Sequence, residues 1–153
     1  MPSFRSERRV RHSAKKMFDL VADVERYPEF VPLCQALRVL RRTTDEAGLE
    51  VLVADMEVGY RAIREKFTSR VTLDPAKPKI LVEYIDGPFS RLENIWNFRD
   101  DGQSGSLVEF FIAYDFRSRV LGALMGSMFD SAFRKFSAAF EARADAVYGR
   151  KPA

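Results

Sequence analysis

The sequence predicts an α+β fold in which one curved antiparallel sheet is wrapped around a single long C-terminal helix. Three observations carry that prediction. From Leu37 to Phe116 apolar and polar residues alternate with period two, interrupted by short turn-forming links. From 118 to 147 the pattern changes to a helical one with a broad apolar face. Ahead of the sheet the chain offers only one strand, one short helix and one turn, so the order reads β-α-α-β×6-α. No linker, repeat or low-complexity stretch breaks it, and a single domain over 1–150 is expected.

The elements follow in order. Residues 3–10 place Phe4, Ser6, Arg8 and Val10 on one side, a first strand. Ser13 is a suitable N-cap for a helix whose apolar face is Met17, Phe18, Leu20, Val21 and Val24, and Pro28 is expected to stop it. A single turn is expected between Tyr27 and Cys34. Strands are predicted at 37–44, 49–58, 60–73, 79–85, 90–100 and 106–116, separated by Asp45-Glu46-Ala47-Gly48, Gly59, Asp74–Pro78, Asp86-Gly87-Pro88 and Asp101–Gly105. Links this short imply antiparallel neighbours. Leu92, Asn94, Trp96 and Phe98 share one face, as do Val108, Phe110, Ile112, Tyr114 and Phe116, while Arg91, Glu93, Asn97 and Arg99 lie opposite. A sheet polar on one side needs cover on the other. In the last helix Leu121, Met125, Met128, Phe129, Ala132, Phe133, Phe136 and Phe140 fall on one face, with Ser127, Asp130, Arg134, Ser137 and Glu141 opposite. At about 45 Å it is long enough to cross the sheet.

Composition narrows the function. Thirteen Phe against one Trp favour a large core or a lined apolar cavity, because Phe fills space without demanding a hydrogen bond. One Cys, Cys34, excludes an internal disulfide and a multi-Cys metal site, and one His, His12, excludes a His-pair site. No signal peptide and no membrane-spanning run is evident, so a soluble protein of a reducing compartment is expected. The net charge of +3 would suit an anionic surface, lipid or RNA.

Several residues invite two readings. The stripe Met125, Phe129, Phe133 and Phe136 either lines a cavity or simply fills the core. Asn94 and Ser69 share their faces with apolar neighbours, as does Glu65; Asn94 and Ser69 either donate to a ligand carbonyl or have an internal partner, and for Glu65 an internal pair or a bulge that turns it to solvent is the preferred reading. Gly122 and Gly126, one turn apart, either act as a lid or gate or allow close packing against the Pro28–Pro32 turn. Arg117 and Arg119 at the start of the last helix are either compensated by Asp115 or form an anion or headgroup site. Arg5, Arg8, Arg9, Arg11, Lys15 and Lys16 form a basic N-terminal cluster, solvated or docking a membrane or ribosome. No nucleophile–base pair stands out.

The segments Phe18-x-Leu20-Val21-Ala22-Asp23-Val24-x-x-Tyr27-Pro28-x-Phe30-Val31-Pro32-x-Cys34, Phe67-Thr68-Ser69-Arg70-Val71, Asp86-Gly87-Pro88-Phe89 with Leu92 and Trp96-x-Phe98, and Tyr114-x-Phe116 leading to Phe140-Glu141-x-Arg143-Ala144 span nearly the whole chain. In them the chain resembles the START-like, helix-grip (START/Bet v 1-like) superfamily. Within it the resemblance is to the coenzyme Q-binding family, which includes ribosome-association toxins and is often labelled polyketide cyclase/dehydrase. Asn94 departs from the small residue expected before the Trp. The resemblance implies a non-enzymatic carrier of ubiquinone or another prenylated quinone, supporting respiration. The implied cavity residues are Phe30, Phe67, Ser69, Asn94, Trp96, Tyr114, Phe116, Met125, Phe129, Phe133 and Phe136. It further implies no metal, no covalent cofactor, no DNA partner, and a cytoplasmic place, peripheral to the inner face of the respiratory membrane. The alternatives are a ribosome-association toxin that blocks subunit joining and, third, a cyclase or dehydrase, for which acid–base groups near the pocket are lacking.

Overall fold

The computed structural model describes residues 3–60 and 63–149. Seven strands run β1 (Ser3–Val10), β2 (Cys34–Thr44), β3 (Glu50–Tyr60), β4 (Ile63–Asp74), β5 (Lys79–Asp86), β6 (Phe89–Asp100) and β7 (Ser106–Phe116). They form one antiparallel sheet in the order β1-β7-β6-β5-β4-β3-β2. Two helices, α1 (Ala14–Ala22) and α2 (Arg119–Tyr148), and a 3₁₀ turn (Val24–Glu29) complete the described chain. The predicted fold class holds.

Alternation dictates which face is buried. In β6 Leu92, Asn94, Trp96 and Phe98 are buried and Arg91, Glu93 and Arg99 exposed. In β7 Val108, Phe110, Ile112 and Tyr114 are buried on the same side of the sheet. Register shifts between Cys34 and Ala36, Val39 and Arg41, Thr68 and Ser69, and Phe89 and Arg91 mark where extra residues bend the ladder. Such irregularities increase local twist and let a sheet curl around a helix. Gly87 is one that the curl requires. Its φ of +145° suits glycine, and a Cβ there would stand 2.5 Å from Phe67 Cβ. The β5–β6 link therefore presses directly onto β4.

α2 starts at Ser118, whose hydroxyl accepts from Leu121 N, and ends at Gly149 with φ 85°. Its buried residues are Met125, Phe129, Ala132, Phe133, Ser137, Phe140 and Ala144, the three- and four-residue spacing of one helical face. Ser137 corrects the expected polar face: it is buried against β1, its hydroxyl 3.3 Å from that of Ser6.

Other boundaries differ for physical reasons. α1 ends at Ala22, well before Pro28, because the Tyr27 hydroxyl donates to the Val21 carbonyl and caps the last turn. Pro28 sits inside the 3₁₀ turn instead. Gly59 is not a turn. It pairs with Arg64 within the β3–β4 ladder, and its N–H donates to the Leu33 carbonyl at 3.0 Å. Residues 61 and 62 of the strand expected at 60–73 lie outside the described residues.

Candidate ligand-binding site

Between α2 and the concave face lies a cavity of about 90 Å³. Its floor comes from β2 to β7, with Leu37, Ala54, Met56, Phe67, Val82 and Ile112 among the contributors. Phe129, Ala132, Phe133, Phe136 and Phe140 of α2 form its roof, and Val24, Tyr27, Val31, Pro32 and Leu33 close one side. Two polar side chains of the sheet, Ser69 and Asn94, reach this wall.

Their situations differ. Asn94 Nδ2 donates to the Phe111 carbonyl at 2.8 Å, and its Oδ1 accepts from Trp96 Nε1 at 3.1 Å. One amide N–H is left over, since Asn carries two. Ser69 is 6% exposed and its hydroxyl has no hydrogen-bond partner among the described residues. It faces the cavity between Ala54 on β3 and Tyr84 on β5. Among the described residues no carboxylate, imidazole, amine or thiol lines the cavity. Tyr27 is the one ionisable group among those lining residues, and burial pushes its phenol far above the usual range. His12 stands elsewhere: 1% exposed, Nε2 2.7 Å from Asp145 Oδ1, joining the β1–α1 link to the end of α2.

Of the residues expected at the cavity, Phe67, Ser69, Asn94, Trp96, Phe129, Phe133 and Phe136 border it. Four stand outside it. Phe30 packs edge-on to Phe140 beneath Arg143, which holds Glu29 at 2.7 Å and keeps its carboxyl below the usual range. Met125 is 1% exposed in the core. Tyr114 and Phe116 pack around Phe89 and border an outer groove beside Gly122 and Gly126. The glycines do not pack against the Pro28–Pro32 turn: a Cβ at Gly122 would meet Phe116 at 3.6 Å, and one at Gly126 nothing within 4 Å. Missed from sequence were Pro32 and Leu33, which also border a groove of about 310 Å³ on the outside, next to Met128, Ser131 and Lys135. Leu33 has φ 68°, the left-handed region that a branched residue rarely enters. A thin wall under backbone strain thus separates cavity from groove.

The basic cluster is not one surface. Arg5 lies over the Phe111 ring at 4.7 Å on the convex face, whereas Arg8 turns inward to Glu141 at 2.7 Å. Lys15 pairs with Asp19, Lys16 sits over Tyr148, and Arg9 is exposed; Arg11 also has a partner. Period-two alternation along β1 sends adjacent cations to opposite faces. Arg117 pairs with Asp86 at 3.6 Å rather than with Asp115. Glu65 stays in register opposite Val58, with no bulge to turn it, and is half-buried at the strand's open end.

Residues 10–141 match the family model described as polyketide cyclase / dehydrase and lipid transport. The chain belongs to this family. It is 33% identical over 150 residues to the ribosome association toxin RatA of Rickettsia prowazekii, covering 96% of this chain and 99% of that one. It is 31% identical over 144 residues to the mitochondrial coenzyme Q-binding protein COQ10 homolog B of Xenopus laevis, covering 91% of this chain and 56% of that one. A START superfamily protein from Mycobacterium smegmatis superposes with a TM-score of 0.77 at 19% identity, over 95% of this chain and 98% of that one, which fixes the fold. The relatives are thus named for a quinone and for the ribosome, and the family model for cyclase or dehydrase chemistry and lipid transport. Among the described residues no helix is long and apolar enough to cross a membrane, and no group of three or more His, Cys, Asp or Glu could hold a metal ion.

Proposed function

We propose that this chain is a non-enzymatic carrier for an apolar molecule bearing isolated oxygen acceptors, a prenylated quinone of the ubiquinone type fitting best. One observation carries the reading. Ser69 presents an unpartnered hydroxyl to a cavity whose remaining wall is almost wholly apolar. A hydroxyl facing that wall finds no protein acceptor, and a quinone carbonyl would accept from it. Asn94, two strands away, offers its remaining N–H to a second acceptor. The relative named for coenzyme Q points the same way. Absence of any acid–base pair in the lining argues against cyclase or dehydrase chemistry at this cavity. At about 90 Å³ the cavity is smaller than the roughly 300–1,000 Å³ of sites for drug-sized ligands. Loading therefore requires the cavity to widen, and the strained Pro32–Leu33 wall is the part with least to lose. The test is a titration with a short-tail ubiquinone read by Trp96 fluorescence, since Trp96 lines the cavity. Saturable quenching is expected; a flat titration, with no quinone in lipid extracts of the purified protein, overturns the reading.

A second reading rests on the convex face. Arg38, Arg41 and Arg70 are exposed there without an ion pair among the described residues, and Arg41 and Arg70 flank Val53 across neighbouring strands. Unpaired arginines on one surface suit a phosphate backbone, and several relatives are named for ribosome association. Co-sedimentation with ribosomes at graded salt separates this reading from the carrier.

A further inference from the structure

Large apolar side chains that remain exposed include Val120 at 69% and Leu124 at 57%, one turn apart on α2. The next position on that row is Met128, half-buried at the outer groove with Pro32 and Leu33. On the inner side of the same helical segment Leu121, Met125 and Phe129 pack on the core. The first third of α2 is therefore apolar both inward and outward, more than the sheet beneath can cover. From Phe116 to Phe129 there is no acidic residue. Cations stand at both ends of the stretch. Arg119 and Lys135 are exposed and without an ion pair among the described residues; Arg117 is partly offset by Asp86, and Asp130 is taken up by Arg134.

The anchoring of α2 is lopsided in the same sense. Its polar side-chain ties to other elements are Ser137–Ser6, Glu141–Arg8, Arg143–Glu29, Asp145–His12 and Tyr148 to the Lys16 carbonyl, all in its second half. Among the described residues the segment Val120 to Met128 is held by apolar packing of Leu121, Met125 and Met128 alone. We propose that the first third of α2 is a lipid-docking surface: Val120 and Leu124 enter the interfacial layer of an anionic bilayer, with Arg119 and Lys135 at the headgroups. Aliphatic side chains flanked by unpaired cations match acyl chains beneath anionic phosphates. A protein partner fits less well, because two side chains and part of a third fall far short of the roughly 800 Å² per partner that a stable interface buries. Docked this way, the outer groove and the strained Leu33 wall would lie at the lipid, on the path a ligand would take to the cavity. That last point rests on the carrier reading; the docking itself does not.

The experiment is flotation of the full chain with vesicles of phosphatidylcholine alone or with added phosphatidylglycerol. The parent should float with the anionic vesicles and be released by salt. The double variant Val120→Asp/Leu124→Asp should lose roughly tenfold or more in partitioning, on the scale of two aliphatic side chains withdrawn from lipid. Ile85→Asp, an exposed apolar residue on the sheet, should leave it unchanged. If the double Asp variant loses its fold by circular dichroism, Val120→Ser/Leu124→Ser replaces it. Neither residue lines the cavity, so Trp96 quenching by a short-tail quinone should persist in the variant. Lost flotation with intact quenching supports the proposal; lost flotation in a protein that never quenched retains docking and removes the carrier. Flotation of the variant equal to the parent overturns the proposal. So does a parent that floats with neither vesicle, or one that is a dimer which the variant converts to monomers.

Discussion

Replacing Ser69 by Val should strengthen the protein and weaken its binding of a quinone. In the free protein Ser69 is 6% exposed, and its hydroxyl, without a protein partner, opens onto the cavity, where its desolvation is partial and costs up to about 1 kcal/mol relative to an apolar group. Val is larger than Ser by one methyl group, favours strands, and would pack beside Ala54, Phe67 and Val71 at the edge of existing open space. A gain of up to about 1 kcal/mol follows, or up to about 4 °C in Tm for a chain of this size. The quinone-bound state loses a donor worth about 0.5–1.5 kcal/mol, which is roughly two- to twelvefold in Kd. A hydrocarbon without oxygen should bind the variant at least as well as the parent. Calorimetric melting and Trp96 titration read the two effects separately, and Ser69→Ala controls for added volume. A lower Tm for Ser69→Ala would mean that the hydroxyl already has a partner in the free protein. Unchanged quinone affinity would remove Ser69 from the site.

Gly122→Ala/Gly126→Ala should raise stability by about 1 kcal/mol per site, because each sits inside a helix and neither Cβ meets an atom closer than 3.6 Å. A drop in Tm would refute this account, and unchanged rates of quinone uptake would end any role for the glycines in a lid. Burial pushes the Cys34 thiol from its usual 9.0 up to about 11, against a smaller opposing effect of its hydrogen bond to Ala36. Between those values the folded protein keeps a proton that the unfolded chain releases, so stability falls as pH rises through the window; half-buried Tyr27, raised above its usual 10.0, acts in the same direction at the upper end. Denaturant midpoints at about pH 8 and about pH 10 should differ less in Cys34→Ala than in the parent.

What was legible in the sequence was periodicity, and periodicity reports faces. It placed Ser69, Asn94 and Trp96 on the concave side and Phe129, Phe133 and Phe136 opposite them, and these border the cavity. It does not report depth along a face. Tyr114, Phe116 and Met125 share those faces but lie toward the start of α2, where Phe89 and its aromatic neighbours fill the space. The same alternation in β2 and β3 could have found Leu37, Ala54 and Met56. Nothing local signals that Leu33 closes the cavity, since its carbonyl accepts from the N–H of Gly59, distant in sequence. Gly59 read as a turn because glycine usually breaks a strand; here a Cβ would crowd Gln35 and Arg64 at 3.3 Å. The N-terminal cations looked like one patch because they are adjacent in sequence, and adjacency in a strand means opposite sides.

A cavity of about 90 Å³ that must widen even to take in a ring also sets what kind of discrimination this protein can exercise. A container that swallowed a whole isoprenoid chain would measure its length. One that admits only a compact ring and its first substituents measures the pattern of oxygens and is indifferent to whatever trails outside. On the carrier reading the protein works as a handle rather than a vessel: quinones with the same ring and different tails should compete on nearly equal terms, while small changes to the ring decide which are picked up.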